Sequence, residues 1–237
     1  MGQSRGVRFH VGPGGAVRQW LALVRAGGAA AVLAAAGARS APAQMVGVPV
    51  LQNAFVNPGV TFGADFAAAS EALVYAGALA WVPENGKLQL SGGFGVLDPD
   101  NGSGKATWGG RAMLPIGALS SRTLGVAAFV GVGSLSSGGA TETRIPLGAS
   151  VGYRGTLGER RAISAYIAPF LDVSRFKRDS VSDTKSLFRV SLGVDVAIAS
   201  QLGLTIGYEW GTRAPEGSPG PAGGLFGVGL SYALRKP

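Results

Sequence analysis

Large apolar and small side chains alternate with period two through most of this chain. That dyad restricts the fold to β-structure with two chemically different faces. From Pro58 onward ten such segments follow one another, near 59–67, 73–83, 87–97, 105–116, 122–134, 142–154, 161–176, 186–199, 202–212 and 224–234. Most are close to the length of about 9–11 residues that a tilted strand needs to cross a bilayer. In the eighth, Phe188, Val190, Leu192, Val194, Val196 and Ile198 form one face, and Arg189, Ser191, Gly193, Asp195 and Ala197 the other. In the ninth, Leu204, Ile206, Tyr208 and Trp210 alternate with Thr205, Gly207, Glu209 and Gly211. The last sets Phe226, Val228, Leu230, Tyr232 and Leu234 against Gly227, Gly229, Ser231 and Ala233; the first sets Val60, Phe62 and Phe66 against Thr61, Gly63 and Asp65.

A soluble sandwich also alternates, but it turns large charged side chains to water. Here the second face is mostly Gly, Ala, Ser and Thr, and charged residues are only 14% of the chain, against about a quarter in a soluble domain. Small residues suit the crowded interior of a narrow closed barrel, with the apolar face left for lipid. The expected fold is therefore all-β: an antiparallel up-and-down transmembrane β-barrel of about ten strands, or eight if a long hairpin has been split. Turns are expected at 84–86, 117–121, 155–160 and 200–201, and longer loops on the opposite side at 68–72, 98–104, 135–141, 177–185 and 213–223. Trp81, Trp108, Tyr153, Tyr208, Trp210 and Tyr232 fall near strand ends or on the apolar face, where interfacial girdles form.

Ahead of the barrel lies a different composition. Residues 1–25 are basic, 26–38 form a short apolar run, and Ala41-Pro42-Ala43 is a small-x-small site. That order predicts a secretory signal, residues 1–43, cleaved after Ala43. The run is too short to span a bilayer. Arg5, Arg8, Arg18, Arg25 and Arg39 lie in this part with no acidic residue. Removing it leaves 16 basic against 13 acidic residues, so the basic balance belongs to export and gives no reason to expect a nucleic-acid partner. Residues 44–57 are expected to be a periplasmic N-terminal lead-in, or an extra strand, and 58–237 the barrel domain.

These features together resemble the small outer-membrane β-barrel proteins of Gram-negative bacteria. The resemblance covers roughly 58–234. It rests on the export signal, the dyad and the closing strand Gly227-Val228-Gly229-Leu230-Ser231-Tyr232-Ala233-Leu234. That strand is similar to the family's C-terminal assembly signal, although family members commonly end on an aromatic and this chain continues with Arg235-Lys236-Pro237. The resemblance implies an outer-membrane location and contact with outer-membrane lipid. It also implies recognition by the outer-membrane assembly machinery. It fixes no single activity, because such barrels serve as anchors, pores, adhesins and lipid enzymes.

The chemistry-bearing residues narrow the choice. There is no cysteine, and His10 is the only histidine, so a processed chain has no Ser-His or thiolate catalysis and no catalytic residue is assigned. No cofactor and no metal are expected. Gly102-Ser103-Gly104-Lys105 lacks the spacing of a phosphate-binding loop, and Asp98–Gly102 lacks the glycine and glutamate of a calcium loop. Eight charges are expected on the inward face: Asp65, Arg111, Glu142, Arg144, Asp172, Arg189, Asp195 and Glu209. A hairpin centred near residue 180 would place Asp172 level with Arg189, with Glu209 approaching from the next strand. Charges inside a membrane barrel are expected to pair, because desolvation is costly. The expected function is a monomeric structural or interaction barrel with outside loops and a charge-paired lumen. The alternative is a narrow porin-like channel in which those charges select ions or small solutes.

Overall fold

Ten antiparallel strands pair in chain order and close on themselves in the computed structural model of the protein. They are β1 Gly59–Ala69, β2 Ala72–Val82, β3 Gln89–Pro99, β4 Lys105–Pro115, β5 Leu124–Ser137, β6 Ala140–Leu157, β7 Arg161–Arg178, β8 Val181–Ala197, β9 Leu202–Gly211 and β10 Leu225–Leu234. The structure describes residues 48, 51, 53–70, 72–100, 103–121, 123–137, 139–157, 161–212 and 223–234. The expected export signal, with its cleavage after Ala43, lies outside them, as do Asn101 and Gly102 of the two loop motifs. Closure is made by β1 against β10, in a register that runs from Val60↔Leu234 to Ala68↔Phe226.

The dyad sets which way each side chain points. Phe62, Leu192, Ile206 and Phe226 stand outward with 41–46% of their surface exposed. Ser191 and Thr205, next to Leu192 and Ile206 in sequence, are buried inside, as are Arg189 and Glu209 on the same inward faces. An exposed belt of this kind is the inverse of a soluble protein's surface and is the chemistry of lipid contact. Aromatics border it at both levels. Trp81, Tyr153 and Tyr232 lie toward the entry end, where β1 begins and β10 finishes. Trp108, Tyr208 and Trp210 lie toward the far end, and Tyr208 stacks on Trp210 with centroids 6.0 Å apart.

Two expectations about connections are corrected. Segments 135–141 and 177–185 are not loops. β5 runs to Ser137 and β6 starts at Ala140, while β7 and β8 turn at Asp179-Ser180, where Asp179 takes a left-handed φ of 51°. At the entry end, by contrast, residues 116–123 form a longer link with a 3-10 turn at Gly117–Leu119. The two ends therefore differ in strand length more than in loop length. β8 residues Val181–Leu187 pair with β7 alone, beyond the end of β9. Ladder hydrogen bonds continue there after the apolar belt has ended. On β8 every residue from 181 to 186 is exposed, whichever face it lies on, so hydrophobic alternation no longer reports the strand. On the outward face of β7 the change is visible residue by residue. Leu171 and Val173 are lipid-type, and Arg175 and Lys177 follow them.

The second correction is one of register. Arg178 pairs with Val181, so Asp172 lies opposite Leu187 and Arg189 opposite Phe170. The expected alignment of Asp172 with Arg189 is off by two residues. A shift of two keeps both side chains on the inward face, where a shift of one would have turned them to lipid.

The belt makes a direct prediction. Ile206→Lys places a charge in the middle of the lipid-facing surface and is expected to destabilise the refolded barrel by about 2–4 kcal/mol, read from denaturant unfolding in lipid vesicles.

Candidate functional site

The lumen is the one enclosed environment of the fold among the described residues, and all eight expected charges point into it. Arg189 and Glu209 meet across β8 and β9, Nε to Oε1 at 2.6 Å, both almost completely buried. Arg189 also donates from Nη1 to the Thr212 carbonyl and from Nη2 to the Gly223 carbonyl, at 3.4 and 3.3 Å. One guanidinium thus ties together the two ends of the β9–β10 connection. Glu142 accepts from Arg144 Nε at 2.7 Å and from Ser174 Oγ at 2.8 Å, and Arg144 Nη1 lies 3.7 Å from Asp172 Oδ2. Asp172 therefore belongs with Arg144 of β6 and not with Arg189.

The remaining three are held differently. Asp195 accepts from hydroxyl and amide donors: Thr205 Oγ1 at 2.6 Å and Asn53 Nδ2 at 2.9 Å. Arg111 lies over the Phe129 ring, 5.4 Å from its centroid. Asp65 is buried opposite Gly229, where the absence of a side chain leaves room for its carboxylate.

Asn53 joins the site from outside the strands. Residues 44–57 are expected as a periplasmic lead-in or an extra strand, and of them the structure describes Val48, Leu51 and 53–57. They form no strand, and their side chains lie against the inward face of the barrel. Val48 packs with Ala67, Val74, Leu97 and Leu135. Leu51 is fully buried and faces Gly207 and Gly229. Asn53 Nδ2 also reaches Ser164 Oγ at 2.7 Å. Ala54 packs with Met113, Ala127, Phe129, Ala168 and Phe170. Phe55 lies under the Arg154 guanidinium, 4.1 Å from centroid to carbon.

The wall is shaped to receive this segment. A Cβ on Gly207 would lie 2.5 Å from Leu51 Cδ2, and one on Gly152 would collide with Asn53 Oδ1. The inward glycines therefore do more than narrow the barrel, because they make a track in which another stretch of chain is seated. One signal in the sequence points to this: the polar pair Gln52-Asn53 in an otherwise apolar stretch, 45–56, that precedes a row of strands with glycine on their inward face.

A hollow of about 1070 Å³ lies at the entry rim, lined by Asn57, Val60, Trp81, Glu84 and Leu234 among others, and inside it a cavity of about 100 Å³ is lined by Asn53, Phe55, Asn57, Arg154, Ser164 and Asp195 among others. Ligand pockets are usually about 300–1,000 Å³, so the inner cavity has room for a few waters and not for a substrate. Among the described residues no cluster of three or more His, Cys, Asp or Glu could hold a metal ion, and no helix is long and apolar enough to cross a membrane.

Closed antiparallel pairing, an outward apolar belt, two aromatic borders and a polar filled interior define a transmembrane β-barrel. No family model and no curated protein matches the sequence. Among solved structures, the chain is similar to the β domain of the Bordetella autotransporter BrkA, with 14% identity over 75% of this chain and 100% of that one, at a TM-score of 0.48. It is also similar to Neisserial surface protein A (NspA), with 14% identity over 74% and 96% of the two chains, at a TM-score of 0.36.

The buried pair yields the next prediction. Glu209→Ala strands Arg189 in the interior and is expected to cost about 3–5 kcal/mol of barrel stability. The double variant Arg189→Met/Glu209→Leu should recover most of that loss, measured by the same vesicle unfolding.

Proposed function

We propose that the protein is a bacterial outer-membrane β-barrel of structural or interaction type, and that its lumen is kept shut by its own N-terminal segment. One observation carries this reading. Leu51, Asn53 and Ala54 occupy the space between the walls, and side chains such as Met113, Phe129 and Phe170 close around them. A barrel of about eight strands has an interior that side chains alone can fill. Ten strands enclose more, and here the extra room holds a stretch of chain. The buried ion pairs then serve to stiffen the wall and to hold the β9–β10 connection at the far end. In this reading the far end faces outward from the cell, and its projecting hairpins make the contacts. The barrel acts as a monomer. Outer-membrane lipid surrounds it, and its C-terminal strand is the element that the assembly machinery recognises. It is not an enzyme, and it needs no cofactor.

The reading is tested by electrical recording in planar bilayers, with heat-modifiable gel mobility as the check on folding. The processed chain is expected to be silent. Asn53→Asp sets a carboxylate against Asp195 at the 2.9 Å contact that the amide now makes. It is expected to loosen the segment and produce current steps, which Asn53→Asp/Asp195→Asn abolishes. Steady conductance by the unaltered chain would overturn the closed-lumen reading in favour of a narrow porin-like channel.

A further inference from the structure

The segment that fills the lumen also has a direction. Val48 packs against Ala67 near the end of β1, Val74 near the start of β2, Leu97 near the end of β3 and Leu135 near the end of β5. All four lie toward the far end of the barrel. Leu51 faces Gly207 and Gly229, which are in the middle of β9 and β10. Asn53 bonds Ser164, close to the start of β7, and Asp195, close to the end of β8. Phe55 lies against Arg154 near the finish of β6 and beside Gly125 at the start of β5. Those partners are at the entry end, where the chain passes Pro58 and begins β1. The contacts therefore descend in order, from far end to middle to entry end, as residue number rises.

The length agrees. An extended chain advances about 3.3 Å per residue, so the nine steps from Val48 to Asn57 reach roughly 30 Å. The apolar band of an outer-membrane barrel is about 25 Å tall. A single passage accounts for the whole distance. The walls that line it touch the segment on several sides, and at Gly207 and Gly152 even one added carbon would collide. A second passage back to the entry end would have to displace these contacts.

We propose that the barrel carries its own N-terminal segment across the membrane, with Val48 at the far end, on the cell surface, and Asn57 at the entry end. The inference rests on the proposed outer-membrane reading for which side is outside. It goes beyond that reading by assigning the barrel a further activity, the display of its own leading segment. With cleavage after Ala43, only Gln44–Gly47 would precede Val48. The segment runs directly into β1, and β1 with β10 forms the closing pair.

The chain has no cysteine, so a single introduced thiol reports one position without background. Three full-length variants are compared in Gram-negative cells with a membrane-impermeant maleimide, before and after permeabilisation. Ser180→Cys marks the β7–β8 turn at the far end, Asn85→Cys marks the β2–β3 turn at the entry end, and Met45→Cys reports the leading segment. Met45→Cys is expected to label in intact cells to the same extent as Ser180→Cys. Asn85→Cys should rise about tenfold or more only after permeabilisation. Met45→Cys shielded together with Asn85→Cys would overturn the crossing. Should Asn85→Cys label in intact cells while Ser180→Cys is shielded, the assumed orientation fails. The crossing still stands in that case if Met45→Cys follows Ser180→Cys, and it is overturned if Met45→Cys follows Asn85→Cys.

Discussion

Hydrocarbon has no hydrogen-bonding groups to offer, and this structure depends on that fact. Every backbone N–H and C=O in the apolar belt must find its partner within the protein, and an open sheet would leave two rows of them unpaired. The β1–β10 seam removes both rows at once. Once the sheet is closed, each strand has one face outside and one inside, and the dyad in the sequence becomes a division between lipid and lumen. Two prolines show how far the ladder tolerates interruption. Pro146 and Pro169 each withdraw a donor from adjoining strands, and pairing lapses beside each of them, between β5 and β6 and between β6 and β7. The register resumes unshifted on the far side of both gaps, so no face is exchanged.

Closure also creates an interior that has to be filled. Close packing leaves few voids larger than a water molecule in ordinary protein interiors. Three kinds of material fill this one. They are aromatic and sulfur side chains such as Phe129, Phe170 and Met113, buried ion pairs, and a length of the chain itself. The ion pairs are effective because they are reinforced by other groups. Glu142 holds Ser174 as well as Arg144, and Arg189 holds two loop carbonyls as well as Glu209. A buried charge with a single partner would not recover its desolvation cost as well.

Much of this is legible in the residues. The inward placement of all eight charges follows from period two, because within a strand a side chain's face depends only on whether its position is odd or even; closure is read instead from the small residues of the second face, and the count of about ten leaves eight open. Partners do not follow so readily. Pairing across a hairpin depends on where the turn sits, and a turn displaced by one position sets Leu187 rather than Arg189 opposite Asp172. The projecting part of β7 and β8 reads as a loop because water lies on both of its faces and the apolar signal stops. The lumenal segment is hidden for a different reason. The described residues between Val48 and Asn57 have no strand or helix to impose a period, and their environment is created by strands that come later in the chain. Asn53 acquires its meaning only when Asp195 and Ser164 are brought to it.

The outward face of β7 passes from Leu171 and Val173 to Arg175 and Lys177 within a few residues. A cation at the bilayer midplane costs several kcal/mol, and the cost falls steeply toward the headgroups. Sinking the barrel along its axis would draw those two side chains toward hydrocarbon, while raising it would lift Leu171 and Val173 into water. The hairpin is thus a depth gauge. It opposes vertical travel in either direction and holds the molecule at one draught in the membrane.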